Sequence, residues 1–250
     1  MTGIILEARG VTKAFGGFKA VNNVDLDIVE GEVHALIGPN GAGKTTFFNL
    51  LTGGLALSAG TIKLSGETIS SLSMDKIARK GLVRSYQISS IFPEFTVLNN
   101  VRFGLQQKRR TNFDFWRNER GLSELDDRAM ALLEDLGLAE WAQMRAGDLP
   151  YGRKRALEIA TTLALDPRVL LLDEPTSGMG REDIERVTEL IRKVAVGRTV
   201  VMVEHNLPVV RGLCNRVTVL ARGAVISRGN YDSVSSDPKV IEAYLGAHHA

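Results

Sequence analysis

Cysteine is nearly absent from this chain: Cys214 is the only one in 250 residues. No intrachain disulfide can form, so the fold must be held by its core. The neighbours in Gly212-Leu213-Cys214 are small or apolar, which reads as a small core residue rather than a nucleophile. Charge of one sign is missing too. With 31 Lys and Arg against 29 Asp and Glu, the net charge of +2 makes no electrostatic case for a nucleic-acid partner, which calls for a strong basic excess. The cluster Lys108-Arg109-Arg110 reads as a solvated loop. Long apolar runs are also lacking. Nothing approaches the roughly 18 residues of a membrane helix, and even Val194 to Val203 is broken by Gly197, Arg198 and Thr199. The start, Met1-Thr2-Gly3-Ile4-Ile5-Leu6-Glu7, has no basic region leading into a long apolar stretch. A secretory leader is therefore not expected, and a cytoplasmic location is. Any membrane role must come through a partner.

What remains is ordinary globular material, 44% apolar and 24% charged. A chain this long buries roughly 70–75% of the surface its unfolded form exposes, enough to need neither disulfides nor structural metals. Short strand-like runs alternate with helical patterns, which predicts an α/β fold with a mostly parallel central sheet. Val33 to Ile37, Val169 to Leu172 and Thr199 to Val203 are near-continuous apolar runs, as a sheet covered on both faces requires. Val24, Leu26 and Ile28 instead alternate with Asp25 and Asp27. Together with Ile4 to Ala8 and Thr61 to Leu64 they predict a small antiparallel β subdomain. From about residue 90 to 165 the strand signals vanish. There Leu125, Ala129, Leu132, Leu133 and Leu136 share one helical face, with Ser123 as its N-cap and Gly137 closing it. The expected organisation is an α/β core over 1–87 and 166–250 with a helical subdomain inserted over 88–165. The stretch Asn112-Phe113-Asp114-Phe115-Trp116-Arg117 is either a partner-facing surface or a satellite apolar cluster under a loop.

The chemistry begins at Gly38-Pro39-Asn40-Gly41-Ala42-Gly43-Lys44-Thr45, which fits the phosphate-loop pattern of Gly, four residues, Gly, Lys, then Ser or Thr. A chance match is expected about once in a hundred chains of this length, and the context here is right. A buried strand leads in, and the helical run from Thr46 to Leu51 follows. Glycines let backbone N–H groups curl around phosphate oxygens, and the helix start adds its positive dipole end. Lys44 would reach the β- and γ-phosphates, and Thr45 would ligate Mg²⁺. A second apolar strand, Val169 to Leu172, ends in Asp173 and Glu174. Asp173 is placed to hold Mg²⁺ through water, and Glu174 to polarise an attacking water. His205 follows the strand Thr199 to Val203, on the ligand-binding edge of a parallel sheet, where it could sense a γ-phosphate.

These motifs, in this order along essentially the whole chain, resemble the ATP-binding subunits of ABC transporters, built on a P-loop NTPase core. The resemblance implies ATP and Mg²⁺ as cofactors and ATP hydrolysis coupled to transmembrane transport. It implies that Phe15, in Val11-Thr12-Lys13-Ala14-Phe15-Gly16-Gly17, stacks on adenine, and that Gly38, Pro39, Asn40, Gly41, Ala42, Gly43, Lys44, Thr45 and Thr46 bind nucleotide. Gln87 matches the glutamine that joins Mg²⁺ and the attacking water to the helical lobe. Glu174 matches the catalytic carboxylate and His205 the switch histidine, with Thr45, Gln87 and Asp173 around the metal. The Phe-Gly-Gly start, the segment Phe92-Pro93-Glu94-Phe95-Thr96-Val97-Leu98, Tyr151-Gly152 and the tail Ala243-Tyr244-Leu245-Gly246 look like the branched-chain amino-acid importer branch, most of all its larger ATPase subunit. The partners so implied are a second ATPase subunit, transmembrane permease subunits and, indirectly, an external solute-binding protein. The chain would then sit peripherally on the inner face of the cell membrane. Phe92, Phe95 and Val97 either line a groove for a permease helix or belong to the core. An ATPase of a lipopolysaccharide-type export system and a non-transport ABC ATPase are the alternative functions.

Two departures stand against the family pattern. Its signature is usually Leu-Ser-Gly-Gly-Gln, or Leu-Ala-Tyr-Gly-Gln in this branch, and here it reads Leu149-Pro150-Tyr151-Gly152-Arg153. Pro150 supplies neither a hydroxyl nor an N–H, although backbone donors at Tyr151 and Gly152 still suit a γ-phosphate. The loop Thr176-Ser177-Gly178-Met179-Gly180 ends in Gly where the family has Asp or Asn. In the family each ATP lies between one subunit's phosphate loop and the other's signature. Both departures would therefore weaken the site formed with the partner's phosphate loop, which favours an asymmetric heterodimer over a homodimer. The alternative is that Pro150 is a tolerated variant in a site working through backbone donors.

Overall fold

Two long strands open the chain, β1 (Ile4–Phe15) and β2 (Phe18–Val29), paired antiparallel across Gly16-Gly17. β1 also pairs with β4 (Ala59–Leu64), and β4 with β5 (Glu67–Thr68), giving a four-stranded sheet in the order β2-β1-β4-β5. The alternation in β2 does what its sequence requires: Val24, Leu26 and Ile28 are buried while Asp25 is exposed. The computed structural model describes residues 3–85, 91–108 and 119–246. Gln87 and the aromatic stretch 112–117 lie outside the described residues, as do Arg109 and Arg110.

A second sheet has six strands: β3 (Val33–Ile37), β6 (Leu82–Ser85), β7 (Val169–Asp173), β8 (Thr199–Val203), β9 (Arg216–Ala221) and β10 (Ala224–Gly229), in the order β10-β9-β3-β8-β7-β6. β3 runs parallel to both β8 and β9, and β7 parallel to β8, whereas β10 is an antiparallel edge. Every residue of β3, β7 and β8 is buried, as continuous apolar strands demand. Register then fixes the working edge. Leu36 and Asp173 both stand opposite Val203, so the C-terminal ends of β3, β7 and β8 lie in one row. From that row the chain runs into Gly38, Glu174 and His205. Phe47 and Phe48 of α1 (Lys44–Leu51) are wholly buried in a core that also holds Leu36, Leu171 and Val201.

By its contacts the chain falls into two compact units, Met1–Leu82 with Arg168–Pro175 and Arg192–Ala250, and Val83–Pro167 with Thr176–Ile191. In the second, α3 (Val97–Lys108), α4 (Glu119–Asp135) and α5 (Tyr151–Leu163) pack on one another. Val97, Val101 and Leu105 line the buried face of α3, and Leu125, Ala129, Leu133 and Leu136 that of α4 and its end. α4 starts at Glu119, so Ser123 lies inside the helix and is not its N-cap. Glu119, Arg120 and Leu122 are good helix formers and carry the helix a turn further upstream. Gly137 does close it, at φ 65°, with the Leu138 N–H donating to the Leu133 carbonyl at 2.7 Å. Val97 belongs to the core, whereas Phe92 and Phe95 are exposed and their rings lie 5.4 Å apart. No helix among the described residues is long and apolar enough to cross a membrane.

Candidate functional site

The phosphate-loop sequence forms the turn between β3 and α1. Gly38 and Gly43 are fixed by close approach as well as by backbone angle. A Cβ on Gly38 would sit 2.0 Å from the Leu220 carbonyl oxygen, and one on Gly43 2.3 Å from that of Ala20. The loop is therefore pressed against β9 and β2, and the Gly223 N–H, from the β9–β10 turn, donates to the Ala42 carbonyl at 3.0 Å. α1 begins directly after Gly43, with no side-chain cap and no acidic residue in its first turn. Its leading N–H groups thus face the loop without a competing carboxylate, the electrostatic setting an anion needs.

Lys44 is buried, and its Nζ donates to the carbonyls of Gly38 at 2.7 Å and Pro39 at 2.9 Å. Burial pushes this ammonium below its usual pKa, and the carboxylates of Glu174 and Asp173 work against that shift. The register of β3, β7 and β8 sets these strand ends in one row, where a lysine and two carboxylates are close enough to feel one another. Asp173 is buried at the last position of β7. Glu174 follows in the left-handed region at φ 45°, rare for a side chain of this kind, with its N–H held by the Val203 carbonyl at 2.9 Å. Thr45 is exposed at the start of α1, and Thr46 is half-buried. A hydroxyl and a carboxylate are hard-oxygen donors of the kind that suits Mg²⁺.

His205 is exposed one residue beyond Glu204. Glu204, which no sequence motif marks, holds this turn. Its fully buried carboxylate accepts the N–H groups of His205 at 2.9 Å and Asn206 at 3.0 Å, which pins the turn carrying the histidine. An acceptor just before Asn206 and α7 (Leu207–Leu213) was the available signal, since Asn206 itself caps that helix through Val209. Phe15 is half exposed at the β1–β2 turn, with the Lys13 ammonium 5.2 Å from its ring centre. Lys13 was likewise not singled out. Tyr244, on α9 (Pro238–Gly246), reaches the loop too: burial pushes its phenol up, and the Gly38 amide partly offsets that. Pro150, Tyr151 and Gly152 belong to the second unit, where Pro150 precedes α5 as its N-cap at φ −57° and ψ 153°. Cys214 is only half-buried, so it is less enclosed than the core position its apolar neighbours suggested. Burial first, then the Glu204 carboxylate, pushes it up to about 12, far from thiolate chemistry.

The family model for the ABC transporter matches residues 21–177, from β2 through the phosphate loop and Glu174 to Ser177. The chain belongs to the ABC transporter family. A second family model, the branched-chain amino acid ATP-binding cassette transporter, matches residues 224–250 of this cassette, where Tyr244 lies. The cassette is 40% identical to the high-affinity branched-chain amino acid transport ATP-binding protein BraF of Pseudomonas aeruginosa, over 97% of this chain and 98% of that one. Its fold matches the ADP conformation of MJ1267, an ATP-binding cassette of an ABC transporter, with a TM-score of 0.86 and 28% identity over 98% of this chain and all of that one. It also matches the dimeric structure of a post-hydrolysis state of the cassette MJ0796 bound to ADP and Pi, with a TM-score of 0.75 and 26% identity over 91% and 99% of the two chains. The fold is thus that of an ABC ATPase cassette: a mostly parallel sheet, a small antiparallel sheet and a helical part.

Proposed function

We propose that this cassette hydrolyses ATP to drive an importer of branched-chain amino acids or similar small polar solutes. The observation that carries the reading is the grouping of Lys44, Asp173 and Glu174 at one sheet edge, beside a glycine loop that leads into a helix start. Backbone N–H groups from Gly41 to Thr46 would hold the β- and γ-phosphates, and Lys44 would neutralise them. Thr45 and Asp173, with Gln87, would hold Mg²⁺, which when bound spreads the charge of the β- and γ-phosphate oxygens. Glu174 accepts a proton from water as the water oxygen attacks the γ-phosphorus and the bond to ADP breaks. His205, on its pinned turn, contacts the γ-phosphate, and Phe15 stacks on adenine.

Two cassettes close around ATP, and MJ0796, the related cassette with a dimeric structure, supports that arrangement. The partner here is a second ATPase subunit with a standard signature, so that this chain's phosphate loop and Glu174 form the stronger site. The segment 88–165 docks on permease subunits, which places the cassette at the inner face of the membrane. The cargo follows the relatives, since BraF serves branched-chain amino acid transport. Leucine uptake in cells lacking this chain tests the reading. Restoring the chain should restore uptake, and restoring it with Glu174→Gln should not. Uptake that is indifferent to the deletion, or equally restored by the variant, would contradict it.

A further inference from the structure

The hairpin that carries Phe15 is seated on the phosphate loop through one irregularity of its pairing. Lys13 of β1 stands opposite Val21 of β2 and Ala14 opposite Lys19, so Ala20 is the extra residue of a β-bulge. Its carbonyl oxygen is the atom that a Cβ on Gly43 would meet at 2.3 Å and one on Gly223 at 2.8 Å. Beside it the Asn22 N–H donates to the Gly223 carbonyl at 2.8 Å, and the Gly223 N–H to that of Ala42 at 3.0 Å. The strand pair is therefore anchored to the loop a few residues from the exposed aromatic at its tip.

Lys13 lies two residues before Phe15, the spacing that puts both side chains on one face of a strand. Its Nζ stands 5.2 Å from the centre of the Phe15 ring and donates to the Ala56 carbonyl at 2.7 Å. The segment it reaches is fastened to β1 twice more. The Ala14 N–H donates to Ser58 Oγ at 3.0 Å, and the Ser58 N–H to the Thr12 carbonyl at 2.9 Å. A long, flexible stem is thereby held with its charge over an aromatic ring. The Ala56 bond needs only a donor, whereas the ring responds to the charge: an ammonium draws the negative π face toward itself. The opposite face is left less negative, which lowers its repulsion toward the π face of a stacked base.

We infer that Lys13 is a positioning residue for the nucleotide: its ammonium covers one face of Phe15 and so presents the other to the base of ATP. The inference deepens the function proposed above and rests on its assignment of Phe15 to adenine. Lys13 acts through the ring and leaves the phosphates to the loop and Lys44.

The test uses the transporter complex purified through this chain. It compares KM for ATP, kcat, and inhibition of hydrolysis by tripolyphosphate, which offers phosphates without a base. Lys13→Gln keeps a donor for the Ala56 carbonyl and removes the charge. The expected result is a KM about twofold to fivefold higher, the scale of one exposed cation–π contact, with kcat and the inhibition constant of tripolyphosphate unchanged. Lys13→Arg, which keeps a cation, should hold the wild-type KM. In a Phe15→Leu background Lys13→Gln should cause no further rise, because the charge acts through the ring. A wild-type KM in Lys13→Gln, a Lys13→Arg as weak as Lys13→Gln, tripolyphosphate weakened as much as ATP, or an undiminished effect in the Phe15→Leu background would each overturn the inference. Phe15→Leu with an unchanged KM for ATP would overturn the assignment of Phe15 to adenine and the inference with it, an outcome separate from a silent Lys13→Gln in a complex that Phe15→Leu does weaken.

Discussion

His34 shows how a single residue ties this core to solution conditions. It lies in the middle of the parallel sheet, buried, with Nε2 2.9 Å from the Thr218 hydroxyl and Nδ1 without a hydrogen-bond partner. Burial, reinforced by the charges of Arg216 and Arg228, pushes its pKa down to about 3 from an ordinary 6.5. Folded His34 therefore stays neutral where an unfolded histidine takes up a proton. Above about pH 6.5 the two states bind equally and nothing is lost. Below it the unfolded chain gains the proton, and stability falls by about 1.4 kcal/mol per pH unit until the folded residue titrates. Between about pH 7.5 and about pH 5 the wild type should lose roughly 2 kcal/mol more than His34→Gln in urea unfolding. An equal loss in both would show that His34 does not carry this dependence. Other residue-scale features were plain in the sequence, because the phosphate loop and the Asp-Glu pair depend on local order alone. Glu204 was not: its two backbone acceptor bonds arise from a turn whose shape no spacing reveals.

At the scale of elements, strands were more legible than helix ends. β3 and β8 match the runs Val33 to Ile37 and Thr199 to Val203, since a strand covered on both faces is buried at every position, even at His34 and Thr199. The start of α4 was misplaced at Ser123, because an acceptable capping residue occurs inside a helix that good formers extend to Glu119. The start of α5 carries a prediction of its own. Pro150 is its N-cap and supplies no side-chain hydrogen bond to the first turn. Serine there would accept an N–H and stabilise the helix start by about 1 kcal/mol. In the asymmetric pair, Pro150→Ser should also raise turnover of the assembled transporter by strengthening the site that this signature completes. Unchanged turnover, measured beside a thermal unfolding curve, would instead favour a signature that works through its backbone alone.

Over the whole molecule, the architecture follows from two patterns: continuous apolar strands for the covered sheet, and alternation for the half-wet one. What sequence order hides is that 176–191 groups with the helices and not with the strand it follows. That grouping is a matter of tertiary contact, such as the hydrogen bond from the Tyr151 hydroxyl to the Ser177 carbonyl. The central claim is that this chain's own phosphate loop and Glu174 form a working hydrolytic site. Mg²⁺-dependent ATP hydrolysis by the purified complex, wild type against Glu174→Gln, tests it most directly. The account predicts that the variant binds ATP as tightly as wild type while turnover falls about a hundredfold or more, the scale of a lost general base. Wild-type turnover in Glu174→Gln would contradict it, and would move the working site to the partner's carboxylate.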